Sequence, residues 1–194
     1  MRNLWCVFVG ELSDKAVDRI LDESNKYEYK KATVGPDEKQ VENLELRNSN
    51  IKFFNTYRSK DITDLLFHYA QLVNRTDFGF DISGVQDIQY TEYDSKNKGH
   101  YDWHEDTMWC DNSQMSQRKI SITVQLSDSL DYEGGDFEIG TPDWESFLND
   151  LSPNTIRKKG TVILFPSFLT HRVTPVTKGK RKSLVSWIDG SMFR

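Results

Sequence analysis

Apolar positions recur at helical spacing in the first part of the chain. They predict one helix over about 13–25, capped by Ser13, and a second over 61–74, each with an apolar stripe facing a core. A short apolar run at 4–9 predicts an opening strand. We therefore expect residues 11–75 to form a mainly helical support for the rest of the chain.

From residue 85 onward the pattern changes to short alternating or apolar runs that are typical of strands. Gly, Asp, Asn and Pro residues separate the predicted strands, which are 85–93, 101–107, 119–127, 135–140, 161–166, 171–174 and 181–189. This succession predicts a mainly β fold with flanking helices, in which residues 85–190 form a two-sheet jelly roll, or double-stranded β-helix. Residues 1–194 contain no evident linker or repeat, so a single domain is expected.

The predicted strand 119–127 has one apolar and one polar face. Its apolar residues at 120, 122, 124 and 126 alternate with Ser121, Thr123 and Gln125. In an ordinary half-exposed sheet the polar face meets solvent, whereas in a jelly roll it lines the inner cavity. The second alternative makes Thr123 and Gln125 candidate contacts of a ligand bound in that cavity.

Aromatic residues are candidates for the rim of a substrate pocket. Trp109, Trp144 and Tyr132 have this potential, although aromatic residues in a small β-rich domain more often pack in its core. Segment 141–159 is predicted to be a loop with a short helix, or a lid over the pocket.

Composition and charge restrict the partners and the cellular compartment that we expect for the protein. A formal net charge of −5 and a pI near 5.4 argue against a nonspecific binder of nucleic acid or of anionic membranes, so neither partner is expected. The opening apolar run is too short to span a membrane. Two cysteines far apart suggest no disulfide framework, which favours a reducing cytoplasm.

The segment His104-Glu105-Asp106 is the first candidate for metal chemistry. A His and an Asp two apart are a weak motif alone, but on a strand they share a face and can converge on one ion. His171, which follows a predicted buried strand, is the candidate third ligand. Two histidines and one carboxylate can occupy one face of an Fe(II) octahedron, which leaves positions for a co-substrate and O2.

The other residues near this segment are interpreted by the same alternation. Strict alternation turns Tyr101 away from His104 unless the strand bulges. His68 lies in a helical pattern and His100 in a polar loop, so both are predicted to be ordinary surface or packing residues.

Arg181 is the candidate anchor for a carboxylate. Alternation places it on one strand face with Ser183, Val185 and Trp187. A strand-end arginine usually extends into solvent, but one ten positions after His171 can grip the far carboxylate of a dicarboxylate that chelates iron through its other end.

Three segments resemble the Fe(II)/2-oxoglutarate dioxygenases of the prolyl 4-hydroxylase superfamily: 99–106, 132–137 and 160–187. Segment 171–181 is especially similar to the bacterial PKHD-type hydroxylases. The resemblance implies that His104, Asp106 and His171 are the catalytic iron ligands and that Arg181 binds the distal carboxylate of 2-oxoglutarate. It also places Tyr93 near a tyrosine that contacts the co-substrate. Ser183 and Trp187 are assigned to the same co-substrate site.

The resemblance also implies a reaction and its reagents. These are Fe(II), 2-oxoglutarate and O2, with ascorbate as a supporting reductant, and the expected reaction is hydroxylation of a prolyl or other peptide residue. A free amino acid or small metabolite is the alternative substrate. A halogenase is disfavoured by the presence of Asp106, and a nucleobase demethylase by Trp187. A non-catalytic jelly-roll binding module, or a cupin-like metal protein that does not use 2-oxoglutarate, is the alternative of a different class.

Overall fold

Two antiparallel sheets face each other across a central cleft. The protein is described from a computed structural model over residues 3–35, 41–107, 109, 116–140 and 153–193. The strands are β1 (Cys6–Phe8), β2 (Lys30–Lys31), β3 (Arg47–Asn48), β4 (Asn50–Phe54), β5 (Ile82–Asp94), β6 (His100–His104), β7 (Gln117–Gln125), β8 (Tyr132–Gly134), β9 (Phe137–Ile139), β10 (Val162–Pro166), β11 (His171–Val173) and β12 (Val176–Gly190). The α-helices are α1 (Asp14–Ser24), α2 (Lys60–Val73) and the short α3 (Pro153–Arg157). A π-helical turn (Asn74–Phe78) continues α2, and a 3-10 turn (Ser95–Asn97) follows β5.

The strand order is that of a jelly roll. The major sheet runs β1-β10-β7-β12-β5-β4-β2, with β8 paired to β12, and the minor sheet runs β3-β6-β11-β9. Pairing is antiparallel throughout these two sheets. The predicted mainly β fold with flanking helices is therefore confirmed.

The two long helices cover the outer face of the major sheet. Ile20 of α1 and Leu66 of α2 belong to one buried cluster with Ile122 and Leu184 of the sheet. Full burial of side chains of this size contributes roughly 1.5–3 kcal/mol each, so this cluster is a main source of stability. Because successive residues point to opposite faces, the polar residues of β7 must face the cleft.

The N-terminal part contains more strand than its sequence predicts. The expected helices are present, and Ser13 caps α1 by accepting a hydrogen bond from the Ala16 backbone N–H. Strands β2 to β4 lie between them, however, and extend both sheets. Their edge pairing depends on distant partners such as β5 and β6, which local periodicity does not register.

The described residues include no helix with the length and apolar character needed to cross a membrane.

A buried carboxylate ties the two long helices together. Glu23, at the end of α1, is 2% exposed and accepts hydrogen bonds from Arg19 (2.8 Å), Lys26 (2.7 Å) and the hydroxyl of Ser59 (2.9 Å), which precedes α2. Burial acts to raise its pKa, but the hydrogen bonds from Lys26, Arg19 and Ser59 outweigh burial and lower the pKa to about 2. Glu23 is therefore ionised and paired at neutral pH.

The variant Glu23→Gln is expected to be less stable than the wild type at pH 7, by about 1–2 kcal/mol after solvent screening of the partly exposed partners. Since the folded-state pKa lies below the unfolded one, this stabilisation is full above pH 4.5 and disappears as the pH falls towards 2. Urea unfolding at pH 7 and pH 3 measures the difference. The exposed Glu28→Gln is the matched control, and a Glu23→Gln difference that does not shrink at pH 3 would contradict the assignment.

Candidate metal centre and co-substrate pocket

His104, Asp106 and His171 converge at one end of the cleft. The register of the minor sheet pairs His104 directly with His171, and the two imidazole centroids are 4.1 Å apart. Asp106 lies 3.9 Å from Nε2 of His104 and 3.5 Å from Nε2 of His171. One potential ligand atom from each residue lies within 4.8 Å of the other two. Two imidazole nitrogens and one carboxylate oxygen form a donor set that fits Fe(II).

Backbone carbonyls orient both histidine rings. Nδ1 of His104 donates to the carbonyl of Asp102 (2.7 Å), and Nδ1 of His171 donates to that of Leu169 (2.9 Å). Each Nε2 then faces the Asp106 carboxylate and is the ring atom available to a metal ion. Burial, followed by the charge of His171, lowers the pKa of His104 to about 3, so this imidazole is neutral and able to coordinate a metal.

The Asp106 carboxylate is held by serine residues of the neighbouring strands. The Ser121 hydroxyl donates to it (2.6 Å) and lies 2.9 Å from the Ser167 hydroxyl, while the Ser167 carbonyl accepts from the Asp106 backbone N–H. Burial acts to raise the pKa of Asp106, yet the adjacent His171 and His104 lower it to about 2. Ser121 lies on the polar face of β7, but the sequence pattern did not assign it to the metal centre.

Tyr101 lines the cleft, against the expectation from strict alternation. Its ring stacks on the His104 ring with centroids 3.4 Å apart and planes 12° from parallel. The cause is an irregular register, because Val173 pairs with Tyr101 whereas His171 pairs with His104. The extra residue of β6 makes a bulge that brings both side chains to the same face.

Arg181 lies in the interior of the same cleft. It is 3% exposed, its strand register pairs it with Tyr93, and its guanidinium is 5.6 Å from the Tyr93 ring centre. Ser183 is 3.5 Å from one guanidinium nitrogen. Gly135, at φ +65°, lies against the arginine stem, where an added Cβ would be 3.1 Å from Cδ. Burial raises the pKa of Tyr93, which keeps its hydroxyl protonated as a hydrogen-bond donor.

The structure places Thr123 and Gln125 beside Arg181. Both line a small cavity that Arg181 also lines, and Gln125 donates a hydrogen bond to the Tyr132 hydroxyl (2.7 Å). Tyr132 is 3% exposed, so of its two alternatives, substrate rim or packing, the structure supports packing. Its strand β8 pairs with β12, and Tyr132 lines the same small cavity.

Trp187 lines the open part of the cleft. Its ring lies under the guanidinium of Arg118, 4.0 Å from the ring centre, and the ring is 7% exposed. Thus all four residues that alternation placed on one face of β12, including Val185, line the same cleft.

The remaining candidates from the sequence are the aromatic residues Trp109 and Trp144 and the histidines His68 and His100. Trp109 is 53% exposed and donates to the Glu105 carboxylate (2.9 Å), which is compatible with a position at the rim. Trp144 and segment 141–152 of the predicted lid lie outside the described residues. His100 contacts the carbonyls of residues 45 and 98, and His68 is exposed on α2, so neither joins the cluster.

A cleft of about 400 Å³ thus connects a His-Asp-His cluster on the minor sheet with a buried arginine on the major sheet. A jelly roll with this donor set has the architecture of a non-haem iron oxygenase. Residues 88–189, more than half of the chain, match the family model of the 2OG-Fe(II) oxygenase superfamily. The chain belongs to this superfamily, whose reagents are Fe(II) and 2-oxoglutarate.

Individual relatives are hydroxylases. A PKHD-type hydroxylase of Synechococcus sp. (strain CC9311) is 35% identical over 97 residues, covering 49% of this chain and 39% of the relative. Another, from Prochlorococcus marinus (strain MIT 9515), is 31% identical over 169 residues, covering 84% and 66%. The chain spans about two fifths of the length of the first curated relatives it matches.

Solved structures share the fold at low identity. A viral collagen prolyl hydroxylase from Paramecium Bursaria Chlorella virus-1, in complex with 2OG, has a TM-score of 0.66 at 22% identity and covers 97% of both chains. A prolyl hydroxylase from Trichoplax adhaerens, in complex with a hypoxia inducible factor peptide, has a TM-score of 0.70 at 15% identity, covering 96% of this chain and 83% of that one.

Proposed function

We propose that the protein couples the oxidative decarboxylation of 2-oxoglutarate to the hydroxylation of a C–H bond in a prolyl or other peptide residue. The observation that carries the proposal is the cleft itself, since His104, Asp106, His171 and Arg181 all line it. The prolyl hydroxylases among the structural neighbours favour a peptide substrate over a free amino acid or small metabolite.

The residues divide the work by position. His104, Asp106 and His171 would hold Fe(II), and Ser121 keeps the Asp106 carboxylate turned towards the two imidazoles. Arg181 would bind the distal carboxylate of 2-oxoglutarate, with Tyr93, Ser183, Thr123 and Gln125 around it. A buried, permanently charged guanidinium suits this ligand because its planar fork matches a carboxylate.

The proposed reaction accounts for both atoms of O2 and needs a site from which water is excluded. Fe(II) and 2-oxoglutarate supply the oxidising chemistry, in which one oxygen atom of O2 enters succinate and the other enters the hydroxyl product, with release of CO2. The chain contributes orientation and exclusion of water, since Tyr101 covers one face of His104 and Phe165 lies edge-on to His171 at 4.7 Å.

The test is succinate formation from 2-oxoglutarate by the purified protein with Fe(II), ascorbate and O2, with and without a panel of proline-rich peptides. We expect slow turnover with the co-substrate alone and faster turnover with an accepted peptide, accompanied by a peptide mass increase of one oxygen. Stimulation by free amino acids instead of peptides would favour the small-molecule alternative. No turnover in air, together with no Fe(II)–2-oxoglutarate absorption band in an anaerobic sample, would indicate a binding module.

A further inference from the structure

Arg47 is a buried cation in the cleft that the proposed reaction leaves without a role. It lies on β3, opposite Tyr101 of β6, and is 8% exposed. Its Nε donates to the Ser49 hydroxyl (3.2 Å), and its guanidinium carbon is 4.5 Å from the Tyr101 ring centre. Over the described ranges of the chain, no carboxylate forms an ion pair with it. Its two terminal nitrogens are therefore available to a ligand in the cleft.

An unpaired buried guanidinium is energetically expensive. Arginine cannot lose its charge at accessible pH, so burial must be offset by a partner. The cation–π contact with Tyr101 offsets only part of the free-energy cost of taking a charge out of water. Arg181 has the same difficulty, which the distal carboxylate of 2-oxoglutarate resolves. Arg47, which also lines the cleft, can be compensated by a second anion bound there.

The charges among the described residues of the cleft favour the same conclusion. Its lining includes the cations Arg47, Arg118 and Arg181 and the anions Glu105 and Asp106. Fe(II) and dianionic 2-oxoglutarate carry equal and opposite charges, so their binding leaves this excess of positive charge in place. Arg118 donates to Gln86 (2.7 Å) and lies 3.8 Å from Asp87, which leaves Arg47 as the cation to be compensated.

The position of Arg47 suits the binding of a substrate group rather than of the metal ion. The Tyr101 ring contacts both the Arg47 guanidinium and the His104 imidazole. A group bound to Arg47 therefore lies next to the metal centre, one aromatic side chain away from a proposed ligand, without needing a coordination position. An anchor at this place would fix a substrate close to the reacting site.

We propose that Arg47 forms a second carboxylate site in the cleft, which receives a carboxylate of the hydroxylated substrate. This inference rests on the proposed function and narrows its substrate class to acidic molecules. The carboxylate has two chemical sources, namely the free α-carboxylate of an amino acid or chain end, and the side chain of Asp or Glu within a peptide.

Isothermal titration calorimetry on protein loaded with Zn(II) and 2-oxoglutarate tests the site without turnover. The probes are two matched pairs: N-acetylproline with N-acetylprolinamide, and the capped tetrapeptide Gly-Asp-Pro-Gly with Gly-Asn-Pro-Gly. In at least one pair the wild type should bind the carboxylate member about tenfold more tightly, as expected for one charge-assisted contact. The pair that shows the preference identifies the source of the carboxylate.

Variants of Arg47 provide the controls. Arg47→Gln should lose the preference, Arg47→Lys should retain part of it, and Arg58→Gln, at an exposed arginine outside the cleft, should keep all of it. Binding of 2-oxoglutarate to the Zn(II)-loaded protein should be unchanged in each variant, which also shows that the variants are folded.

The proposal is overturned by any of three results. The proposed site is excluded if the wild type shows no preference for the carboxylate member of either pair, or binds neither member. If the preference survives in Arg47→Gln, another residue forms the carboxylate site. If 2-oxoglutarate binds that variant more weakly, Arg47 contacts the co-substrate instead. Because Zn(II) supports no turnover, these results are independent of the succinate assay that tests the proposed function.

Discussion

His104→Ala is expected to abolish succinate formation from 2-oxoglutarate and to weaken Fe(II) binding severely. The substitution removes one of three candidate ligand atoms that lie within 4.8 Å of one another. The remaining pair, Asp106 and His171, cannot complete one face of an octahedron. The bulged β6 strand and its pairing with β11 should persist, because they depend on backbone hydrogen bonds and not on the imidazole.

Fe(II) bound at equilibrium under anaerobic conditions, together with succinate produced in air, measures both effects. His68→Ala is the matched control, since this exposed histidine on α2 lies outside the cleft. It should leave both quantities at wild-type values. Near-normal iron binding and turnover in His104→Ala would remove His104 from the ligand set.

Arg181→Ala is expected to raise the KM for 2-oxoglutarate roughly tenfold to a hundredfold, because a charge-assisted pair contributes about 1.5–3 kcal/mol. Fe(II) binding should change little, since Arg181 lies on the opposite sheet from the histidines. The decisive measurement is the dependence of succinate formation on 2-oxoglutarate concentration beside the Fe(II) affinity of the same sample.

Arg181→Lys separates charge from shape at this position. The lysine keeps the positive charge but lacks the planar fork, so an intermediate KM is expected. A thermal unfolding curve tests for a folding defect, because the arginine stem lies against Gly135. An unchanged KM in folded Arg181→Ala would exclude the assigned role.

Regular alternation was sufficient to predict much of the site. The polar face of β7 and the Arg181 face of β12 both line the cleft, as a period of two requires. These strands lie at the centre of the major sheet and are paired on both sides, so their register is regular over most of their length. Local pattern and tertiary structure agree where such pairing is continuous.

The errors lie where pairing is irregular or distant. The stack of Tyr101 on His104 depends on a bulge that no local pattern indicates. Arg47 lies in a polar stretch without alternation and enters the cleft because β3 pairs with β6, more than fifty residues later. Tyr132 was one of three candidates for the rim, but its strand β8 pairs with β12 and the side chain lines the small cavity beside Arg181.

The two faces of the long β12 strand also restrict where residues can be inserted or deleted. Its outward residues, such as Leu184, belong to the helix-covered core, and its inward residues, such as Arg181, belong to the cleft. A single-residue insertion or deletion within it would exchange the two sets beyond that point, burying polar groups under the helices and presenting aliphatic groups to the co-substrate. Length variation among homologues is therefore expected to be confined to the connections between strands, while the interval between Val176 and Gly190 stays constant.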